Sequence, residues 1–189
     1  MKRLLDLQKL IVASQFRSII SGEVTLSEKQ SDKFLNKICI KGLPSKSIVL
    51  KMDDTVINHF FNSTYGINKR ADYLLLFIDR NNLFVFYIEM KTGEPSENDQ
   101  DIIQKFNGTN CLLRYCDSVI KCFFQSNFLQ RYFERYVVLY KAPSVTKISS
   151  KPMRMQRNDH PQKYLKIPVN NYNPRDPNTK INYLRFFSE

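Results

Sequence analysis

The chain has 189 residues, of which 42% are hydrophobic, so it can bury a substantial core and global disorder is not expected. No apolar run is long enough to span a membrane, and the first residues lack a signal-peptide core, so a soluble, cytoplasmic protein is expected. The formal net charge is +11, and residues 141–189 carry 10 Lys/Arg against 3 Asp/Glu. This basic excess fits a polyanionic partner such as nucleic acid, and it fits a merely soluble basic protein equally well.

The cysteines and histidines argue against a zinc site. The 4 cysteines form no C-x-x-C pair, and the chain has only 2 histidines. Free thiols agree with a reducing compartment. The sequence also contains no internal repeat, glycine-rich phosphate loop or G-x-S-x-G motif.

The first part of the chain has the pattern of two helices. Apolar residues recur at helical spacing over residues 4–20, and Gly22 ends this pattern. Residues 25–28, TLSE, match a capping box and predict a second helix that reaches about residue 38. Glu28 is then either the capping glutamate, which the pattern favours, or an acidic group available to a site.

Three strands are predicted in the middle of the chain, over residues 47–52, 73–78 and 83–88. The last two are separated by the polar, Asn-rich residues 79–82, so they are expected to pair as an antiparallel hairpin. Both of these runs are almost continuously apolar. This pattern is typical of strands that are covered on both faces, at the centre of a sheet packed between helices.

Three charged residues are expected to meet at one end of this hairpin. Glu89 and Lys91 lie two positions apart at the end of the second strand, so their side chains project to the same face. Antiparallel pairing brings the start of the first strand, with Asp72, level with them. One cluster can therefore hold two carboxylates and an amine, which suits Mg²⁺, a cation that prefers oxygen ligands.

An Asp-led strand followed by a hydrophobic strand ending in Glu-x-Lys resembles the core of the PD-(D/E)XK nuclease superfamily. The resemblance covers residues 45–140, and Ala71 stands where the family name has Pro. It implies a restriction-endonuclease-like αβββαβ core, a mixed central sheet flanked by helices. It also implies that Asp72 and Glu89 bind Mg²⁺ or Mn²⁺, and that Lys91 orients or activates the attacking water and offsets charge on the phosphate.

The same resemblance suggests further site residues. Many relatives carry a Glu on a helix before the first strand, for which Glu28 and Glu23 are the candidates here, and Glu28 is preferred. Some relatives carry a Gln on the helix after Glu-x-Lys, and Gln104 is the best match, with Gln100 one turn earlier. Lys69, Arg70 and Lys105 are the candidate nucleic-acid contacts around such a site, and the alternative is that they are simply exposed to solvent.

The remainder of the chain predicts a helix over residues 97–125, a strand over 136–140, and edge strands over 164–167 and 181–187. We therefore divide the chain into a nuclease-like core with N-terminal helices, residues 1–142, and a basic extension, residues 143–189, packed on the same domain. Basic residues interleaved with Tyr and Asn suit a nucleic-acid surface, and Lys151, Arg154 and Arg157 are the candidate contacts there. A loosely packed tail is the alternative.

The sequence thus predicts a metal-dependent nuclease, and DNA is favoured over RNA only because the family usually acts on DNA. An RNA-cleaving nuclease, a non-catalytic nucleic-acid-binding module of the same fold, and a structural or partner-binding α/β domain remain alternatives. No membrane partner is expected, and assembly into a homodimer or larger complex is left open.

Overall fold

The computed structural model describes residues 2–28, 36–53, 66–141, 158–169 and 180–187. Within these residues, short 3-10 helices cover Ala13–Gln15, Pro161–Lys163 and Tyr183–Phe186. The longer elements in chain order are α1 (Lys2–Leu10), β1 (Phe16–Arg17), β2 (Val24–Glu28), β3 (Asn36–Lys41), β4 (Ser47–Lys51), β5 (Tyr73–Asp79), β6 (Asn82–Lys91), α2 (Gln100–Phe124), β7 (Tyr132–Lys141), β8 (Leu165–Val169) and β9 (Lys180–Asn182). The architecture is α/β, as the sequence predicts.

The β5–β6 hairpin confirms the predicted pair of strands. Its loop is formed by Arg80 and Asn81, whose φ angles of 45° and 68° are the left-handed values that a two-residue hairpin loop requires. Asp79 pairs with Asn82 across the loop, so the turn lies within the predicted polar break over residues 79–82. Both strands are buried along most of their length.

The hairpin lies at the centre of a mixed six-stranded sheet with the strand order β1-β4-β5-β6-β7-β8. Strands β4, β5 and β6 form an antiparallel meander, whereas β7 is parallel to β6 and β8 is parallel to β7. Helix α2 connects the parallel neighbours β6 and β7, which need such a crossover. Its bounds lie within the predicted helix over residues 97–125, and Asp99 caps its first turn.

The large sheet is covered on both faces, as the apolar strand pattern indicated. One face packs against α1 and α2 through a core that includes Leu74, Val85 and Phe106. The other face packs through Leu75 and Ile88 against a three-stranded sheet of order β2-β3-β9. The described part of the chain therefore forms three layers, with the large sheet in the middle.

The N-terminal prediction of two long helices is wrong. Helix α1 ends at Leu10, and β1 then pairs with β4 at the sheet edge. Residues 25–28 belong to β2, which pairs with β3, so the capping-box pattern does not start a helix. In β2, Val24 and Leu26 are buried while Thr25 is exposed, which is the two-residue period of a strand. Packing of this apolar face on the large sheet outweighs the local capping signal.

The described parts of the basic extension contribute strands to both sheets. Strand β8 forms the edge of the large sheet beside β7, and β9 pairs with β3 in the small sheet. The predicted edge strand over residues 181–187 is shorter than expected, because a 3-10 helix follows at Tyr183–Phe186. The predicted nucleic-acid contacts Lys151, Arg154 and Arg157 lie outside the described residues.

Candidate active site

The end of the β5–β6 hairpin brings Asp72, Glu89 and Lys91 together, as the sequence predicts. Tyr73 pairs with Ile88, so Asp72 is level with Glu89 on the neighbouring strand. The backbone N–H of Met90 donates a 2.6 Å hydrogen bond to Oδ2 of Asp72, which fixes this carboxylate against β6. Asp72 is 5% exposed and Glu89 is 0% exposed, so both acids lie inside the protein rather than at a solvated turn.

Two amines approach the same oxygen of Glu89. The Nζ atom of Lys105, on α2, lies 2.5 Å from Glu89 Oε1, and Nζ of Lys91 lies 3.4 Å from it. The other oxygen, Oε2, is buried and has no hydrogen-bond partner in the described part of the chain. A buried carboxylate oxygen without a partner is unfavourable, so this atom is a candidate position for a ligand.

The charges in the cluster shift its pKa values. Burial raises the pKa of Asp72 well above its ordinary value, and the nearby charge of Glu89 raises it further. Burial also raises the pKa of Glu89, although Lys105 and Lys91 oppose this. Burial alone would lower the pKa of Lys105, but the Glu89 carboxylate outweighs it and the pKa is raised. The raised pKa values show that burial disfavours the charged form of both acids, which a bound cation would favour.

Glu28 reaches this cluster from the small sheet rather than from a helix. It is the last residue of β2, and its Oε2 atom is buried without a partner among the described residues. Burial raises the pKa of Glu28, and the charge of Glu89 raises it further. The predicted third acid is therefore near the cluster, but a strand places it there.

The first turn of α2 adds Asp101 to the site, a residue that the sequence interpretation missed. Its carboxylate lies 2.8 Å from Lys69 Nζ, 3.3 Å from Lys91 Nζ and 4.0 Å from Lys105 Nζ. The hydrogen bond from Lys69 lowers the pKa of Asp101, so the carboxylate stays charged. The i,i+4 spacing of Asp101 and Lys105 on a helix after Glu-x-Lys was the available signal.

Gln104 lies beside Lys69 rather than beside Lys91. Its Oε1 accepts a 2.8 Å hydrogen bond from Lys69 Nζ, and a Cβ added at Gly66 would lie 2.7 Å from the same oxygen. Gly66 has a φ of 69°, so the backbone of this loop favours glycine. Lys69 is 40% exposed, so its amine can also meet a phosphate.

The Arg70 side chain is buried, whereas the sequence predicts it as a nucleic-acid contact. The residue is only 7% exposed, and its guanidinium donates to the carbonyl oxygens of Ile67 and Lys69. A Cβ added at Gly108 on α2 would lie 2.1 Å from the Lys69 carbonyl oxygen and 2.7 Å from the guanidinium. Arg70 and Gly108 thus fix the Lys69 loop against α2, which leaves Arg70 unable to reach a polyanion in the solvent.

The two acids of the cluster are of the donor type that a hard divalent cation takes. Asp72 and Glu89 offer oxygen atoms, the partnerless Glu89 Oε2 among them, and Mg²⁺ often takes one or two carboxylates with waters and substrate phosphates. Across the described ranges, no group of three or more His, Cys, Asp or Glu is positioned to hold a metal ion. Glu28 is therefore a neighbour of the candidate site rather than an evident third ligand.

No protein-family model, curated protein or solved structure matches this chain. In the part of the chain that the structure describes, every helix is too short or too polar to span a membrane.

Proposed function

We propose that this protein is a metal-dependent nuclease with a PD-(D/E)XK-like site on a restriction-endonuclease-like fold, and that DNA is its substrate. The observation that carries the proposal is the buried pair Asp72 and Glu89, level on neighbouring strands, with Lys91 and Lys105 against Glu89. Burying two acids beside each other is costly in a merely structural cluster. A site that uses a cation and a phosphate substrate explains why both carboxylates are retained.

Asp72 and Glu89 would hold the Mg²⁺ or Mn²⁺ ion. Such an ion, when bound, polarises a phosphodiester and makes a nearby water more acidic. The backbone N–H of Met90 keeps the Asp72 carboxylate in place, and burial of both acids excludes bulk water around their oxygens. A dry site of this kind strengthens every charge interaction with the substrate.

In the proposed reaction, the lysine amines interact with the phosphate of the substrate. Lys91 is 28% exposed at the end of β6, where its ammonium can orient a water and stabilise negative charge that develops on the phosphodiester. Lys69 lies further out and can contact a neighbouring phosphate of the strand. Lys105 stays on Glu89 and supplies fixed positive charge within the site.

A cleavage assay tests this function directly. Supercoiled plasmid and end-labelled single- and double-stranded DNA and RNA are incubated with the protein in Mg²⁺, Mn²⁺ or EDTA. We expect DNA cleavage that requires the divalent ion and is lost in Asp72→Asn and in Lys91→Met. Asp79→Asn is the matched control, because Asp79 is exposed at the opposite end of the same hairpin.

The alternatives have distinct outcomes in this assay. Salt-sensitive binding that survives both substitutions, without cleavage in any metal, would favour the non-catalytic nucleic-acid-binding module. Cleavage confined to RNA would identify an RNA nuclease. The absence of both nucleic-acid binding and cleavage at low salt would overturn the proposed function.

A further inference from the structure

One carboxylate, that of Asp101, connects three amines that come from three different parts of the chain. Lys69 precedes β5, Lys91 ends β6, and Lys105 lies one turn further along α2. The Asp101 oxygens are 2.8, 3.3 and 4.0 Å from the respective Nζ atoms. Asp101 is 43% exposed, so its charge is not needed to satisfy a buried group.

Lysine side chains need such a partner to be held in one place. A lysine has a flexible stem with many rotamers, and three ammonium groups close together repel one another. Asp101 has the opposite charge and a short side chain on a rigid base. The side chain of Asp99 accepts hydrogen bonds from the N–H groups of Asp101 and Ile102, which fixes the first turn of α2.

We propose that Asp101 is a positioning residue that holds Lys91 and Lys69 in the arrangement that receives the phosphodiester. This inference rests on the proposed nuclease function. Asp101 shares Lys91 and Lys105 with Glu89, so we infer that it acts on the site through the amines. Lys105 is much closer to Glu89 than to Asp101, whereas Lys91 lies about equally close to both acids. Lys69 is shared between Asp101 and Gln104 at 2.8 Å each, and Asp101 is its charged partner.

The kinetic test uses Asp101→Asn, which keeps the shape of the side chain and removes its charge. We expect kcat for DNA cleavage to fall by about 10- to 100-fold, the usual effect of losing a group that orients a site residue. We expect KM to stay the same or fall, because a negative charge near the phosphate is removed. Asp101→Glu restores the charge and should recover part of kcat.

The matched control is Glu97→Gln, which removes one negative charge from an exposed residue just before α2. It should leave kcat unchanged. Thermal unfolding of each variant should stay close to that of the parent protein, because Asp99 still caps α2 when Asp101 is replaced. An unchanged kcat with tighter DNA binding in Asp101→Asn would overturn the proposal, because Asp101 would then merely occupy the place of a phosphate.

A second measurement does not depend on cleavage. The Cε relaxation of Lys69 and Lys91, measured by NMR in the metal-free protein, should show more motion in Asp101→Asn and no change in Glu97→Gln. Unchanged relaxation in Asp101→Asn would overturn the positioning role. If the parent protein cleaves nothing, the proposed function fails, and the relaxation data alone decide whether Asp101 orders the two amines.

Discussion

Two polar clusters lie on the same face of the large sheet, both beneath α2, and they are satisfied in opposite ways. The first is the candidate active site around Glu89. The second surrounds Glu134 on β7, whose carboxylate accepts hydrogen bonds from Asn110 at 2.6 Å and from Tyr87 and Tyr136 at 3.2 Å each. Both oxygens of Glu134 thus have partners from the protein, whereas Oε2 of Glu89 has none within the described ranges.

The difference separates a structural network from a candidate site. The rings of Tyr87 and Tyr136 stack 4.7 Å apart, so their hydroxyls are held where Glu134 can accept from them. Burial raises the pKa of both tyrosines, and the Glu134 charge raises it further, so they stay neutral donors. Both carboxylate oxygens of Glu134 have hydrogen-bond partners, whereas Glu89 Oε2 has no such partner among the residues that the structure describes.

The largest expected effect is the difference in DNA cleavage between variants of Glu89 and Glu134. Glu89→Gln should lower divalent-ion-dependent DNA cleavage by about 10²-fold or more, because the neutral amide is a poor partner for a cation and for the two amines. Glu134→Gln should leave the cleavage rate unchanged and lower stability, since its hydrogen bonds weaken. Cleavage rates and urea unfolding of both variants measure this. Equal losses of activity would show that the two clusters do not differ in role.

A second substitution tests the packing of Gly108, on α2, against the backbone of Lys69. Gly108→Ala should destabilise the protein by about 1 to 3 kcal/mol, because the added methyl group would meet the Lys69 carbonyl oxygen. Gly93→Ala is the control, since a Cβ there has no atom within 4 Å. Urea unfolding gives the free energies. Equal stability of the two variants would contradict the close packing of α2 on the Lys69 loop.

A smaller effect is expected from a single hydroxyl in the structural cluster. Tyr136→Phe should cost about 1 kcal/mol of unfolding free energy, the usual value of one such hydrogen bond, with cleavage retained. Tyr115→Phe removes an exposed hydroxyl on α2 and should cost nothing. Chemical denaturation measures both. A loss of cleavage in Tyr136→Phe at full stability would mean that this cluster takes part in the reaction.

The smallest expected effect concerns Glu28 and pH. The pKa of Glu28 is raised in the folded state, so the protonated form of its carboxyl group favours folding. This contribution to stability is lost as the pH rises from about 4.5, the ordinary pKa of this group, through the raised pKa. Metal-free Glu28→Gln should therefore lose less stability than the parent protein over that rise. Thermal unfolding across this pH range measures the difference. Parallel curves would contradict the raised pKa of Glu28 and the burial of its carboxylate.

Local sequence was sufficient to predict a secondary-structure element where one strong signal agreed with the tertiary packing. The apolar runs and the Asn-rich break predict the β5–β6 hairpin, and the register of that hairpin brings Asp72 level with Glu89. The long apolar face predicts α2 in the same way. The capping-box residues failed, because the alternating burial of Val24 and Leu26 against the large sheet outweighs a helix-start signal of a few residues.

The sequence by itself determined the α/β class, the central hairpin and the meeting of Asp72, Glu89 and Lys91, because these follow from contacts between residues close along the chain. Only the tertiary structure decided the rest of the site. Glu28 arrives from the small sheet, Asp101 and Lys105 arrive from α2, and Arg70 turns inward to hold a loop. Those positions depend on how separate layers pack, and a local pattern contains no information about that packing.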